Sequence, residues 1–174
     1  GTPEEARLWI LRLLDLSEIQ CRLDEIETDY DSALHALGYD PALRRRYAGF
    51  LAAHNLNEKA LAQWQALEEQ AEADPAAGEE LLEIREQVVR LDPQSPHARM
   101  RLAVAMETAA RFEEAAEAYH WAAALYRDAG CADEAREALF ALLRLEPHNE
   151  KAREDLADLL HHGGDQAAAA RQYE

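Results

Sequence analysis

The sequence predicts an all-α fold, and three observations carry that expectation. Apolar residues recur at helical spacing in successive blocks, with no β-branched alternating segment between them. The apolar fraction is 48% but aromatics are only 7%, and much of the remainder is alanine, which suits helices and lets them approach closely. Only seven glycines and six prolines occur, and the prolines punctuate rather than cluster.

In order along the chain, Thr2-Pro3-Glu4-Glu5 reads as a capping box with proline at the first helical position. It opens a helix expected over about 3–16 that is apolar on most sides, through Leu8, Trp9, Ile10, Leu11, Leu13, Leu14 and Leu16. Such a helix needs cover on more than one face. Ser17-Glu18-Ile19-Gln20 reads as a second capping box opening a helix over 17–38, with the stripe Ile19, Leu23, Ile26, Tyr30, Leu34 and Leu37 and with Gly38 as terminator. Asp40-Pro41 then caps and starts the next.

Further helices are expected over 41–54, 57–73, 76–91, 97–110, 112–129, 132–146 and 149–162, with an incomplete tenth from 165. The internal turn His54-Asn55-Leu56-Asn57 places at Asn55 a residue that tolerates a left-handed backbone. Asp74-Pro75 and Ser95-Pro96 read as caps, and Leu91-Asp92-Pro93 and Leu145-Glu146-Pro147 as closings.

Ala116 to Asn149 is a 34-residue stretch of two amphipathic helices. It has small residues at Ala122, Ala123 and Ala135 and large ones at Tyr119, Tyr126, Leu139, Leu142 and Leu145. That pattern resembles a tetratricopeptide repeat, and the resemblance implies an antiparallel solenoid of helical hairpins. Pro96 to Ala129 fits as well, through Leu102-Ala103, Met106, Phe112, Ala115, Tyr119, Ala122 and Leu125. The repeat near Pro41 to Asp74 fits through Tyr47-Ala48, Leu51, Ala60, Trp64 and Leu67, and the one from Glu150 through Leu156-Ala157, Leu160, Gly164, Asp165, Ala169 and Tyr173. Two units therefore claim one helix, 112–129. Both Arg111-Phe112-Glu113-Glu114-Ala115 and Cys131-Ala132-Asp133-Glu134-Ala135 look like turns inside a repeat, 20 residues apart. The expected organisation is a non-consensus N-terminal hairpin or cap over 1–40, a degenerate repeat plus an extra helix over 41–95, and repeats of overlapping register over 96–174, the last truncated.

The resemblance implies a protein–protein interaction scaffold, a segment of a larger protein that holds a peptide or partner domain in a concave groove. Transferring the family's groove positions gives His97, Met100, Val104, Glu107 and Thr108, then Glu117, His120, Ala124, Arg127 and Asp128, then Lys151, Glu154, Asp158, His161 and His162. Arg45, with Ala42, Gly49, Ala52 and Ala53, comes from the early repeat. The subclass that clamps chaperone C-termini uses Lys and Asn; here Gly49 and Ala124 stand where an amide is wanted, so that ligand is not expected. The alternative is a structural or oligomerisation module associating with itself through Trp9, Leu13 and Leu16 and through the solenoid ends, whose core-type surface lacks a next repeat.

A formal charge of −17, from 35 acids against 18 bases, disfavours nucleic acid. Arg44-Arg45-Arg46 is the one basic run, and salt bridges to the acidic face of helix 17–38 are its expected use. Asp158 and His162 stand at i and i+4, but two ligands do not make a metal site, and histidines in a last turn suit the carbonyl end of the helix dipole. Cys21 and Cys131 form neither a disulfide framework nor a metal motif and lean towards a reducing, cytoplasmic compartment. No phosphate loop, nucleophile elbow or zinc-protease motif occurs, so neither an enzyme nor a cofactor is expected. No apolar run approaches a membrane span or a signal peptide. The chain begins without Met and stops inside a helical pattern, which reads as an excised fragment.

Overall fold

The computed structural model describes residues 3–20, 23–38, 40–74 and 76–162. Among these residues there are nine α-helices and no strand. They are α1 (Pro3–Gln20), α2 (Leu23–Leu37), α3 (Pro41–Ala53), α4 (Asn57–Glu72), α5 (Gly78–Leu91), α6 (Pro96–Thr108), α7 (Phe112–Asp128), α8 (Ala132–Leu145) and α9 (Glu150–His162). The chain is a succession of short-turned antiparallel hairpins, the tetratricopeptide-like architecture its sequence predicts. The contacts divide it into two units, 1–67 and 68–174.

Within 1–67, α2 packs on α1 and on α3. The centre is aromatic: the rings of Tyr30 and Tyr47 stack with centroids 4.4 Å apart, and Leu14, Ile26, Leu43 and Leu51 close around them. Asp40 caps α3, its Oδ1 accepting from the Leu43 amide at 3.0 Å, ahead of Pro41.

Four expectations change. Ser17 does not start a helix, because α1 runs on to Gln20. Its hydroxyl instead donates to Asp29 of α2 at 2.6 Å, and Glu18 is engaged by Tyr30 and Arg46, so neither side chain turns back to cap the backbone. Ile19, placed in the buried stripe, is 78% exposed as a consequence. Phe112, read as a packing residue, is 54% exposed at the start of α7. Asp74 folds onto the Ala76 amide at 2.9 Å in a local turn, which delays α5 to Gly78. Thr2, Pro75 and the tenth helix lie outside the described residues.

Within 68–174, each helix from α5 to α9 packs on the next. The seams are narrow because small residues line them: Ala103, Ala115, Ala122, Ala135, Ala138, Ala152 and Ala157 are fully buried. Tyr119, Leu139, Leu142, Leu156 and Ile84 fill the space between.

Two turn designs join these helices. In the first, a residue at positive φ follows the last helical turn. Ala110 (φ 58°) and Gly130 (φ 76°) hold this place after α6 and α7, and Asn55 (φ 59°) holds it after α3. In each case the next amide reaches back five residues, Arg111 to Met106, Cys131 to Tyr126 and Leu56 to Leu51, all at 2.9 Å. In the second design, Leu91-Asp92-Pro93-Gln94-Ser95 and Leu145-Glu146-Pro147-His148-Asn149 follow α5 and α8. Ser95 and Asn149 cap the next helix, accepting from Ala98 and Ala152 at 3.2 and 3.0 Å. Arg99 and Arg153 brace the Pro93 and Pro147 carbonyls.

The left-handed turn thus comes twice running, on both sides of α7. Ala110 carries a strain there that Gly130 does not, since an L-residue in this region costs about 1–2 kcal/mol against about 0.5–1 kcal/mol of glycine's extra unfolded entropy. Ala110→Gly should therefore raise stability by about 0.5–1 kcal/mol, and Gly130→Ala should lower it by about 1 kcal/mol. A Cβ at Gly130 meets nothing within 4 Å, so the loss would be purely backbone. Urea midpoints at constant m-value are the check.

Helices two apart are joined by charge. Three carboxylates each gather a donor from the next helix and an arginine from the one after. Glu18 of α1 accepts from Tyr30 of α2 and from Arg46 of α3 at 3.0 Å. Glu68 of α4 accepts from Arg85 of α5 at 2.8 Å and pairs with Arg101 of α6 at 3.0 Å. Glu107 of α6 accepts from Tyr119 of α7 at 2.8 Å and from Arg144 of α8 at 2.6 Å. Arg46 therefore pairs with α1, through Glu18 and Asp15. Lys59 meets the acidic α2 at Glu27.

Candidate partner-binding site

The doubled turn at α7 decides how the surface of α6–α9 is divided. In an antiparallel stack, alternate helices share a layer. Glu107–Arg144 ties α6 to α8 on one side at 2.6 Å, and Arg127–Asp155 ties α7 to α9 on the other at 3.4 Å. A hollow opens in each layer, floored by the helix behind.

Between α6 and α8 the hollow has a volume of about 540 Å³. Met100, Val104, Glu107 and Thr108 come from α6, Phe112 and Tyr119 from α7, and Ala141 and Arg144 from α8. Helical spacing explains the α6 contribution, since 100, 104, 107 and 108 fall on one face. Val104 is 44% exposed and Phe112 54%, while Tyr119 is buried beneath them. Burial, and then the hydrogen bond to Glu107, pushes the Tyr119 phenol up to about 12, so it stays a neutral donor.

Between α7 and α9 the hollows are smaller and more polar. One of about 130 Å³ is lined by His120, Ala123, Ala124, Arg127, Leu139, Lys151, Asp155 and Leu159. Lys151 and Arg127 both direct a nitrogen at Asp155 Oδ1, at 3.0 and 3.4 Å. That carboxylate holds the Lys151 ammonium above its ordinary pKa. A trough of about 510 Å³ continues past His120 along Glu117, Trp121, Glu146 and Asn149.

The residues expected to line one groove are therefore spread over two faces. Met100, Val104 and Glu107 come together on the α6/α8 side. His120 and Arg127 come together on the α7/α9 side, with Lys151. His97 is exposed at the start of α6, its Nδ1 3.3 Å from the Tyr126 hydroxyl. Asp158 and His161 are exposed on α9 and line neither hollow. His162 Nδ1 donates to the Asp158 carbonyl at 2.7 Å, closing the helix end. Arg45 sits half-buried on α3, in the other unit. The repeat pattern makes Phe112 and Tyr119 packing residues and does not single out Ala141 or Arg144, yet all four line the hollow. The signal for α8 was present in the repeated left-handed turn, which puts α8 in the layer of α6.

Trp9, Leu13 and Leu16 lie with Leu8 and Ile19 on the outer face of α1, each 56–78% exposed. Arg12 stands over the Trp9 ring at 5.6 Å. Leu14, on the opposite side, is buried. Among the described residues no helix is long and apolar enough to cross a membrane, and no group of three or more His, Cys, Asp or Glu side chains is placed to hold a metal.

Hairpins of this length, with alanine seams and these two turn designs, define the class as a tetratricopeptide-like helical repeat. No family model matches the chain, and no curated protein does. Solved structures do resemble it. Residues 41 to the end of MamA from Desulfovibrio magneticus RS-1 align at 14% identity and a TM-score of 0.33, over 99% of this chain and 92% of that one. A tetratricopeptide repeat protein from Parabacteroides merdae aligns at 16% and 0.32, over 97% and 77%. A thermophilic tetratricopeptide protein of Thermus thermophilus aligns at 17% and 0.32, over 89% and 99%. At such values the class rests on this chain's own turns and core.

Proposed function

We propose that the helices α6–α9 form a protein-binding scaffold whose α6/α8 hollow receives an apolar segment of a peptide or partner domain. The observation that carries this reading is the exposure of Val104 and Phe112 beside Met100, above the buried Tyr119 ring. Apolar side chains left open in a concave site gain when a partner covers them, and a few such anchors dominate affinity. Glu107 and Arg144 at the same hollow would set the partner's register through charge.

Val104→Asp places a charge in the hollow without touching the core. It should lower capture of the natural partner by at least about tenfold while leaving the melting temperature within a degree or two. Affinity capture from source extract, with circular dichroism as the folding control, is the measurement. Undiminished capture by a folded variant would overturn the reading.

A second reading has its own observation in the five exposed apolar side chains of α1, which would bury together if two copies met there. Leu13→Asp with Leu16→Asp should then convert a dimer to a monomer in light scattering. A wild-type chain that is already monomeric at high concentration would rule it out.

A further inference from the structure

We infer that this chain pairs with a second copy of itself, Trp9 of each copy seating in the groove between α1 and α2 of the other. The inference rests on the self-association reading above and adds the contact that would set the two copies in register.

Five of the nine large apolar side chains exposed among the described residues stand on α1. Helical spacing sorts them. Trp9, Leu13 and Leu16 follow one line along the outer face, with Leu8 and Ile19 beside it. Ile10 and Leu14 lie on the next line round, and with Leu13 they form one side of a groove of about 240 Å³. Asp29, Ser32, Ala33 and Ala36 of α2 form the other side. Leu14 and Ala33 are buried and make its base. The groove exists because α2 sets small residues, Ser32, Ala33 and Ala36, opposite α1. Its volume is roughly eight times a water's share of the liquid, about 30 Å³, which is room for an indole ring. Leu13 belongs both to the outer face and to the groove, so projecting ring and receiving groove are contiguous on one copy.

The chemistry of the two parts matches. The groove is apolar apart from Asp29 and Ser32, and an indole is apolar apart from one N–H that needs an acceptor when covered. Ser17 donates to Asp29 Oδ2, which leaves acceptor positions on a carboxylate that has about four. Arg12 stands 5.6 Å from the centroid of the Trp9 ring and would arrive with it beside Asp29. In a chain of net charge −17 two copies repel in general. The outer line of α1 carries one acid, Glu5, a turn before Trp9, and one base, Arg12, a turn after it. That face can therefore be presented to a copy with little local repulsion.

The area suffices for a specific but modest dimer. An aromatic side chain has about 150–250 Å² to bury, so Trp9 at 65% exposure brings roughly 100–160 Å². With about 100 Å² from each of the other four, two copies remove on the order of 1,000 Å² from water, where specific interfaces begin. Each copy offers one ring and one groove, so two equivalent contacts form about a two-fold axis and the assembly closes as a dimer.

The test follows the mass of the full chain by light scattering and sedimentation across concentration. A dimer in the micromolar range is expected. Trp9→Ala removes the ring, and Ala36→Leu fills the groove from an exposed position on α2. Each should weaken the dimer at least about tenfold with the circular dichroism unchanged. The Trp9→Ala copy still has its groove and the Ala36→Leu copy still has its ring. Mixing the two, one of them fluorescein-labelled, restores one contact and should give a heterodimer tighter than either homodimer, a gain that misfolding does not mimic. Failure of the mixture to associate overturns the inference. A dimer that Leu13→Asp with Leu16→Asp splits, but that Trp9→Ala and Ala36→Leu leave intact, overturns this register and keeps the self-association reading. A wild-type chain that stays monomeric at high concentration overturns both. Val104→Asp should alter none of these masses, so the α6/α8 reading stands or falls by its own capture experiment.

Discussion

Glu68→Ala is expected to be among the most damaging single substitutions in this chain, costing the 68–174 unit about 3–5 kcal/mol. Glu68 is 1% exposed, and its two oxygens face Arg85 Nε at 2.8 Å and an Arg101 nitrogen at 3.0 Å. Arg85 is itself buried, with its remaining nitrogens on the Arg101 carbonyl at 3.1 Å and on Glu72 at 2.6 Å. Removing the carboxylate leaves two guanidinium groups inward with only Glu72 to answer them, and Glu72 is 45% exposed on its side chain. The cost is mostly the desolvation of the abandoned charges rather than the worth of the pair.

Two controls separate those contributions. Glu72→Ala should cost no more than about 1 kcal/mol, because its charge is solvated. Glu68→Leu combined with Arg85→Leu should recover a good part of the loss, since a buried pair exchanged for packed hydrocarbon is often neutral. Thermal unfolding followed at 222 nm is the readout. A fall on the order of 10 °C or more is expected for Glu68→Ala, and a shift of a degree or two would show the cluster to be ornamental.

That cluster was not legible in the sequence, and the reason is physical. Glu68 sits in Leu67-Glu68-Glu69-Gln70, where nothing local separates a buried glutamate from its exposed neighbour. Its burial depends on arginines 17 and 33 residues away, on two further helices. What was legible is what depends on neighbours in sequence. Asp40-Pro41 and Ser95-Pro96 cap as expected, Asn55 adopts the left-handed turn, and Tyr47, Leu51, Ala60, Trp64 and Leu67 are buried at the repeat spacing. Ser17 failed because a capping box is a local pattern that tertiary partners on α2 and α3 overrode.

The surface stands between these cases. The family's groove positions, carried over by the repeat register, put Met100, Val104 and Glu107 on one face of α6 and His120 with Arg127 on one face of α7. That register pooled them because a regular repeat keeps its first helices in one layer. A third helix between two like turns changes the parity, so α6 and α9 fall in different layers. The consequence was contained in the spacing of Ala110 and Gly130, but it needs the turns to be equivalent in three dimensions.

Tyr119 is where the fold and the proposed groove meet, and its substitutions should divide accordingly. Tyr119→Ala removes a ring that is 2% exposed between α6 and α8 and also the donor to Glu107. A loss of about 3–5 kcal/mol follows from the cavity and the lost burial. The floor of the α6/α8 hollow goes with it, so partner capture should fail even at temperatures where the chain is folded. Tyr119→Phe keeps the ring and the floor. It leaves Glu107 still bonded to Arg144 at 2.6 Å, and the cost should be about 1 kcal/mol with capture nearly intact. Alkaline titration gives an independent check on the hydroxyl. The folded phenol ionises near 12 against about 10 in the unfolded chain, so its contribution is fully present below pH 10 and is lost as pH rises towards 12. Stability measured across that window should fall less steeply for Tyr119→Phe than for the wild-type chain. Equal slopes would mean that the phenol is not held by burial and by Glu107 as the geometry requires.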